Sequence, residues 1–246
     1  MTILNLKHRI PEPEVMEGED EVKGFMSSHI KKRRGDGGTY RIVSTEILRH
    51  TKFNAGRVLD IGCGYDGLLE QLHISNPKAE YYGIDLSKSM ITAAKVFFSN
   101  ATYKVCNAEK TEFDDEYFDL VVCRDTFHHF KNPMKVLKEA IRVTKKGGYI
   151  YIIDLRRDTP DDFVLQCIQE VAEHNIYNAM QYYDSMHASY TIPEIKKLFS
   201  KAGIKKYSIW KPSLAKDFSK TYKIEDKFYF VARNYLSDRW MAVIRK

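Results

Sequence analysis

Apolar and polar positions alternate in blocks along the middle of the chain. Five apolar runs have the length of a strand, and stretches with apolar residues at helical spacing lie between them. The five runs are residues 57–61, 81–85, 102–106, 119–123 and 149–155. Strands that alternate with helices predict an α/β fold with a doubly wound, mostly parallel sheet. Two later runs, 204–210 and 239–244, bring this predicted Rossmann-like sheet to seven strands.

The chain on the amino-terminal side of this core has a different pattern. Residues 1–22 carry two prolines and an acidic run, which predict an extended arm without a fixed place in the core. Apolar spacing predicts helices at 22–30 and 39–51, separated by the glycine-rich residues 35–38. We expect this helical extension to cover the glycine-containing turn that follows the first strand.

The alternation breaks again after the fifth strand. Residues 158–190 contain tyrosines, methionines and histidines, and their apolar content predicts one or two helices that form a cap over the sheet. These aromatic residues either line a substrate cavity or form only the interior of the cap. A helix over 191–202 follows, whereas 212–236 fits a strand or a helix equally well.

Composition narrows the class of protein. There are 39 Lys and Arg against 33 Asp and Glu, a formal net charge of +6 that is spread along the chain apart from the basic run at 31–34. A solvated basic face explains this excess better than a nucleic-acid site. Cys63, Cys106, Cys123 and Cys167 lie far apart, without histidines at zinc spacing, and indicate free thiols and no metal site. The chain has no transmembrane run or signal-peptide core, so we expect a cytoplasmic protein.

The turn after the first strand is the strongest candidate for ligand binding. Gly62 and Gly64 allow a sharp turn with no side chain in front of the backbone, and Asp60 places a carboxylate at the strand end. Asp85 ends the next strand, where a carboxylate suits the two hydroxyl donors of a ribose. The alternative is a charge at a helix amino terminus, where Ser87 can cap the helix.

The third and fourth strands also end in polar residues. The amide of Asn107 has the donor and acceptor needed to bind an adenine edge, although an Asx turn is the alternative. Arg124, Asp125, His128 and His129 follow the fourth strand. One of the histidines could act as a general base, but seating of the next helix is the explanation we favour.

These stretches resemble the motifs of the class I S-adenosylmethionine-dependent methyltransferases, in particular the small-molecule branch of ubiquinone and menaquinone biosynthesis. Residues 58–64 resemble the first motif, 82–85 the second, 107–109 the adenine-contacting pair, and 118–130 with 142–148 the later motifs. The resemblance implies S-adenosylmethionine as cofactor. It implies the following cofactor-binding residues: Asp60, Gly62, Cys63, Gly64, Asp85, Leu86, Met90, Asn107, Ala108, Glu109 and Arg124.

The chain departs from the family pattern in one place. Tyr65 and Asp66 delay the third glycine to Gly67, so the spacing also fits a dinucleotide fingerprint. That fingerprint binds pyrophosphate, and the negative charges of Asp60 and Asp66 would oppose a phosphate. The same carboxylates favour a cofactor that carries an ammonium and a sulfonium.

The resemblance implies an enzyme that moves a methyl group to a small-molecule acceptor by in-line displacement. Residues 1–52 then cover the cofactor site, and 53–246 form the methyltransferase domain with its substrate cap at about 158–190. His128 and His129 are the candidate catalytic residues. The candidates for the acceptor pocket are Tyr177, Tyr182, Tyr183, His187 and Tyr190.

Two other functions compete with this one. The basic run suggests an RNA methyltransferase, but the chain shows no separate RNA-binding module and no Asn-Pro-Pro-Tyr motif after the fourth strand. The displaced third glycine suggests a protein that binds the cofactor without transferring its methyl group, and the sequence does not separate methylation from other sulfonium chemistry. We expect no DNA or membrane partner, and the sequence predicts no particular oligomeric state.

Overall fold

A computed structural model describes residues 4–12, 38–65, 67–173, 175–212 and 235–246. These residues form a seven-stranded sheet in the order β3-β2-β1-β4-β5-β7-β6. The strands are β1 Arg57–Ile61, β2 Glu80–Asp85, β3 Thr102–Val105, β4 Phe118–Arg124, β5 Thr144–Leu155, β6 Tyr207–Trp210 and β7 Arg239–Arg245. The first five strands run parallel, and β7 is antiparallel to both of its neighbours. The predicted doubly wound, mostly parallel sheet is confirmed.

Helices cover both faces of the sheet. They are α1 Gly38–Thr51, α2 Gly67–Ser75, α3 Lys88–Phe97, α4 Pro133–Val143, α5 Asp161–Ala172, α6 Ile176–Ala188 and α7 Ile192–Lys201, with a short 3₁₀ turn at Phe127–His129. The apolar sides of α1, α2 and α3 share one core with the sheet, and those of α4 and α7 share the other. A parallel sheet needs this cover because both of its faces are apolar.

Local end signals behave as expected in two of three helices. The Ser87 hydroxyl accepts from the Met90 N–H at the start of α3, and Thr191 forms a capping box with Glu194 at the start of α7. Asn132 precedes Pro133 at the start of α4, but its side chain makes no capping hydrogen bond there. Its amide instead donates to Glu109 at 2.7 Å.

The fifth strand begins earlier than the sequence indicates. Residues 145–148, which precede the predicted strand at 149–155, also belong to β5, which starts at Thr144. The register along β4 shifts between Phe118 and Leu120, and Gly147 has a φ of +80°. The Gly147 N–H donates to the Lys246 carbonyl oxygen, so a partner from the far end of the described chain holds this irregular stretch in the sheet.

The cap consists of α5 and α6, which confirms helices in the region predicted for it. Residues 4–12, which we call the N-terminal segment, pack against these helices, and Leu4 and Leu6 are buried with Val164 and Met186. The expectation that the arm has no fixed place in the core is therefore wrong for this segment, because its leucines are buried against α5 and α6 and the Leu6 and Lys7 carbonyl oxygens accept from Arg157.

Several predictions lie outside the described residues: the helix at 22–30, the basic run at 31–34, Asp66, and nearly all of the ambiguous stretch 212–236. None of the helices in the described ranges is both long enough and apolar enough to cross a membrane. The four cysteines are free thiols.

Candidate functional site

The glycine turn joins three strand ends. Gly62 and Gly64 have φ angles of +71° and +56°, a conformation that L side chains rarely adopt. The N–H groups of Gly62 and Cys63 donate to the Ile84 carbonyl oxygen at 2.8 and 3.0 Å. The Thr126 hydroxyl donates to the Gly62 carbonyl oxygen at 3.1 Å. The turn is thereby fixed to the carboxyl end of β2 and to the residues that follow β4.

The carboxylate of Asp85 lies directly beside this turn. It accepts from the Gly64 N–H at 3.0 Å and from the Ser87 N–H at 2.8 Å. Burial nevertheless raises the pKa of Asp85 above its ordinary value, because it outweighs the opposing effect of these N–H donors. The helix-terminus contact foreseen as the alternative is present.

The other predicted residues of the first motif are placed close to Gly64. Asp60 is buried in β1, paired with Gly83 on one side and Val122 on the other. The Cys63 thiol is buried and lies 3.5 Å from the Gly64 carbonyl oxygen. A Cβ added to Gly64 would meet no described atom within 4 Å, so open space lies in front of this backbone position.

The displaced third glycine has a packing explanation. A Cβ at Gly67 would lie 2.6 Å from the ring of Tyr40, a residue of α1. Tyr65, the first of the extra residues, is buried and packs with Met90, and its hydroxyl is 2.9 Å from that of Tyr40. The extra residue therefore carries an aromatic anchor for α1, and α1 lies over the start of α2.

The predicted adenine-contacting residues have mixed surroundings. The exposed Asn107 accepts from the Glu109 N–H at 2.8 Å, which is the Asx turn foreseen as the alternative, and Ala108 is buried. Hydrogen bonds from Asn132 and Lys135 hold the pKa of Glu109 below its ordinary value. Leu86 is half-buried next to Asp85. The cofactor roles of these residues stay predictions.

Arg124 belongs to a buried network that sequence patterns did not reveal. Its guanidinium donates to the Tyr235 hydroxyl at 2.9 Å, lies 3.1 Å from Asp125 and stacks 4.3 Å above the Tyr40 ring centre. Asp125 also pairs with Arg239 at 2.9 Å. Burial would raise the pKa of Asp125, but the two arginines hold it well below its ordinary value. Arg124 thus already has protein partners, and its cofactor role stays a prediction.

His128 and His129 meet two carboxylates. His128 Nδ1 lies 2.6 Å from Asp154 Oδ1, and the His128 backbone N–H donates to Asp154 Oδ2 at 2.8 Å. On the other side, Glu12 Oε1 lies 3.1 Å from His128 Nε2 and 3.0 Å from His129 Nδ1. Burial opposes protonation of His128, but Asp154 and Glu12 outweigh it and raise its pKa to about 10.

Sequence reasoning missed these partners of the histidines. Asp154 is the one acid inside the apolar run 149–155, a feature that could have identified it. Glu12 stands between two prolines in the segment expected to be extended, and nothing in its neighbourhood points to the histidines. Tyr235 and Arg239 carry no spacing signal either.

The five aromatic candidates for the acceptor pocket do not form one cluster. Tyr182 donates to Asp238 at 2.6 Å, and Tyr190 is buried against Phe127 in the core. The rings of Tyr183 and His187 are in contact, with centres 4.7 Å apart. Tyr177 is 42% exposed. Interior packing accounts for Tyr182 and Tyr190, whereas the acceptor role of the whole set stays a prediction.

A separate groove lies between α1 and α2. It encloses about 330 Å³ and is lined by residues such as Arg41, Leu48, Arg49 and Gln71. None of the predicted cofactor residues lines it. The groove is therefore distinct from the site at the glycine turn and Asp85.

Comparison with known proteins identifies the domain. Residues 59–152 match the family model of a methyltransferase domain. An uncharacterised methyltransferase of Schizosaccharomyces pombe is 33% identical over 155 residues, which cover 62% of this chain and 60% of that protein. The ubiquinone/menaquinone biosynthesis C-methyltransferase UbiE of Desulfotalea psychrophila is 33% identical over 102 residues, 41% of this chain and 42% of that protein. The chain spans about half the length of the curated relatives it matches.

Solved structures agree in fold. The plantazolicin methyltransferase BpumL, in complex with a triazolic desmethylPZN analog and SAH, superposes with a TM-score of 0.68 at 21% identity over 93% of this chain and 92% of that one. The YcgJ protein of Bacillus subtilis superposes with a TM-score of 0.54 at 20% identity over 82% of this chain and 97% of that one. Residues 59–152 thus match a methyltransferase domain model, as the motifs led us to expect, and the described chain has the fold of solved S-adenosylmethionine-dependent methyltransferases.

Proposed function

We propose that this protein transfers a methyl group from S-adenosylmethionine to a small-molecule acceptor. The observation that carries the proposal is the meeting of the glycine turn, Asp85 and Thr126 at the carboxyl ends of β1, β2 and β4. In open α/β sheets, ligands bind outside these strand ends, where the strand order reverses. In this sheet the order reverses between β1 and β4.

The surroundings of Asp85 suit a ribose. Its carboxylate accepts from backbone N–H groups, yet its pKa is raised by burial, so these donors do not fully offset the loss of water. Two hydroxyl donors from a ribose would supply what is missing. Gly64 supports the same site, because the space in front of it leaves room for a ligand against the backbone.

The positive charges of S-adenosylmethionine suit the acidic residue at the end of β1. Asp60 is buried at the end of β1, next to the turn. A buried carboxylate attracts a nearby ammonium or sulfonium and repels a phosphate. S-adenosylmethionine, when bound, supplies an activated methyl group whose transfer neutralises the sulfonium.

In this reaction the protein binds the cofactor and aligns it with the acceptor. Gly62 and Gly64 shape the floor of the site, and Asp85 fixes the nucleoside, so that the methyl group and the acceptor can meet in line. His128 is a poor general base in the described arrangement, because a pKa of about 10 keeps it protonated at neutral pH. Its contacts with Asp154 support a role in fastening the 3₁₀ turn to β5, whereas seating of the next helix, the explanation favoured from the sequence, stays a prediction.

A small-molecule acceptor is supported by the relatives and by the cap. UbiE is named for a step in ubiquinone and menaquinone biosynthesis, and such a step acts on a small molecule. In this chain, α5 and α6 follow β5 directly, and α6 contacts the 3₁₀ turn after β4. A cap at this position would enclose a compact acceptor.

The test combines binding with turnover. Purified protein is titrated with S-adenosylmethionine by calorimetry, and then incubated with the methyl-labelled cofactor and a metabolite extract. We expect saturable binding at one site and a labelled small molecule in the extract. Binding without a labelled product across a broad metabolite panel would favour a cofactor-binding protein, and label recovered in RNA would favour the RNA enzyme.

A further inference from the structure

Glu12, His128 and His129 bring three potential metal ligands to one point, and we call them the Glu12 cluster. Within the described ranges this is the one group whose ligand atoms all lie within 4.8 Å of one another. The carboxylate comes from the N-terminal segment, and the two imidazoles come from the 3₁₀ turn after β4.

The distances in the Glu12 cluster match those around a shared ion. Glu12 Oε1 lies 3.1 Å from His128 Nε2 and 3.0 Å from His129 Nδ1. Two ligands bound about 2.0–2.1 Å from one zinc ion at tetrahedral angles are themselves about 3.3 Å apart. Two of the three distances between ligand atoms are thus close to this value, and all three ligand atoms lie within 4.8 Å of one another.

His128 Nε2 is a buried nitrogen that points at the Glu12 cluster. His128 is 2% exposed, and its Nε2 makes no hydrogen bond of good geometry to a described residue although it faces Glu12. Asp154 accepts from Nδ1 at 2.6 Å, and this bond directs the other nitrogen at the cluster. A carboxylate that holds a histidine in this way is the usual outer partner of a histidine bound to a metal.

Glu12 is also held in place. The Ser185 hydroxyl, on α6, donates to its two oxygens at 3.1 and 3.4 Å. The Ile10 N–H donates to the His187 carbonyl oxygen at 3.0 Å, and Arg9 donates to the His128 carbonyl oxygen at 2.8 Å. The cluster is thus assembled by contacts that do not involve an ion.

The donor set selects the kind of metal. Two imidazole nitrogens and one carboxylate oxygen suit zinc and related transition metals, whereas calcium and magnesium prefer oxygen alone. When the ion takes the place of the proton on His128 Nε2, Glu12 and Asp154 give the site two negative charges for a divalent cation. His129 and Glu12 keep 22% and 12% of their side chains exposed, so an ion can enter from solvent.

We propose that Glu12, His128 and His129 bind one divalent transition-metal ion of the zinc class, with Asp154 as the outer partner of His128. The metal clamps the N-terminal segment onto the turn after β4. Three protein ligands leave a fourth position open for water or for an oxygen atom of a ligand. This inference does not depend on the proposed methyl transfer.

The experiment measures zinc in the full, untagged chain. Protein is loaded with zinc, passed through a chelating resin and analysed by mass spectrometry, and its affinity is measured by competition with a chromophoric chelator. We expect one bound ion per chain. Zinc at about 100 times its dissociation constant should raise the melting temperature by about 5–10 °C.

Matched variants locate the ion. His129→Ala and Glu12→Gln should each lower zinc affinity by more than about 100-fold, and Asp154→Asn by about 10- to 100-fold. His8→Ala is the control, because His8 is an exposed histidine of the same segment and should leave the affinity unchanged. Cobalt added to the wild-type protein should give the visible absorption of a tetrahedral nitrogen and oxygen site, a result that needs no variant to fold.

Two results would overturn the proposal. One is that the loaded wild-type chain retains no zinc and gives no tetrahedral cobalt spectrum. The other is that zinc binds equally well to the wild type, His129→Ala and Glu12→Gln, which would place the ion elsewhere.

Discussion

Replacement of Asp85 by alanine should weaken cofactor binding by more than the loss of fold stability explains. Asp85 accepts from the Gly64 N–H at 3.0 Å and the Ser87 N–H at 2.8 Å. A hydrogen bond to a charged acceptor contributes about 1.5–3 kcal/mol, and water can replace part of this at a half-buried site. We therefore expect the free energy of unfolding to fall by roughly 2–4 kcal/mol.

The effect on binding is separate from that loss. If a ribose makes two hydrogen bonds to the Asp85 carboxylate, removal of this carboxylate reduces the binding free energy by about 3 kcal/mol or more, which is roughly a 100-fold loss of affinity. Calorimetric titration with S-adenosylmethionine measures this loss, and urea denaturation measures the stability. Both are done at a temperature where the variant remains folded.

Asp119 supplies the matched control. It accepts from the Arg57 N–H at 2.8 Å and from Lys145 at 2.8 Å, at the opposite end of the parallel strands. Asp119→Ala should lower stability by a similar amount and leave cofactor affinity unchanged. A cofactor affinity of Asp85→Ala within about threefold of wild type, less than 1 kcal/mol, would refute the ribose role and leave Asp85 as a helix anchor.

Four other substitutions test the glycine turn and the charges in the protein interior. Gly64→Ala should fold with a loss of about 1–2 kcal/mol in the free energy of unfolding, because its φ is +56° and no described atom obstructs the Cβ, yet it should bind the cofactor weakly. Gly62→Ala should not fold stably, because its Cβ would lie 2.1 Å from a threonine methyl group. Thermal melts and calorimetric titration with the cofactor distinguish the two variants. Hydrogen bonds from a neighbouring arginine and threonine outweigh burial and lower the pKa of Glu139 from 4.5 to about 2. Its stabilising effect of roughly 2–3 kcal/mol is therefore present above pH 4.5 and lost as the pH falls towards 2, so the difference in urea stability between wild type and Glu139→Gln should shrink over that range. Arg239→Met leaves the half-buried Asp125 without one of its two cations and should cost about 2–3 kcal/mol in the same assay, whereas a loss under about 1 kcal/mol would show that the pair is dispensable.

Features set by neighbouring residues could be predicted from the sequence. The sheet strands follow from apolar runs, and the Ser87 cap follows from a hydroxyl placed just before an amphipathic stretch. Gly62 and Gly64 take the positive φ angles that their turn requires. In each of these cases the deciding interactions lie within a few residues.

Features set by distant partners could not be predicted. The early start of β5 depends on a backbone bond between Gly147 and Lys246, and no local pattern announces that bond. Asp125 was visible as an acid after a strand, but its pairing with Arg239 is made only when β4 and β7 come into place on either side of β5. Ligand spacing along the sequence likewise could not reveal Glu12, because its histidines lie in a different part of the chain.

The place of the N-terminal segment affects the order in which the chain can fold. Leu4 and Leu6 are synthesised well before the helices that bury them, the second of which ends at Ala188. Contacts of such long range must wait for a large loop to close, which slows folding. Until those helices have been made, the two leucines lack the residues that bury them in the folded protein. Exposed apolar side chains in a partly folded chain favour association with other chains or binding by a chaperone.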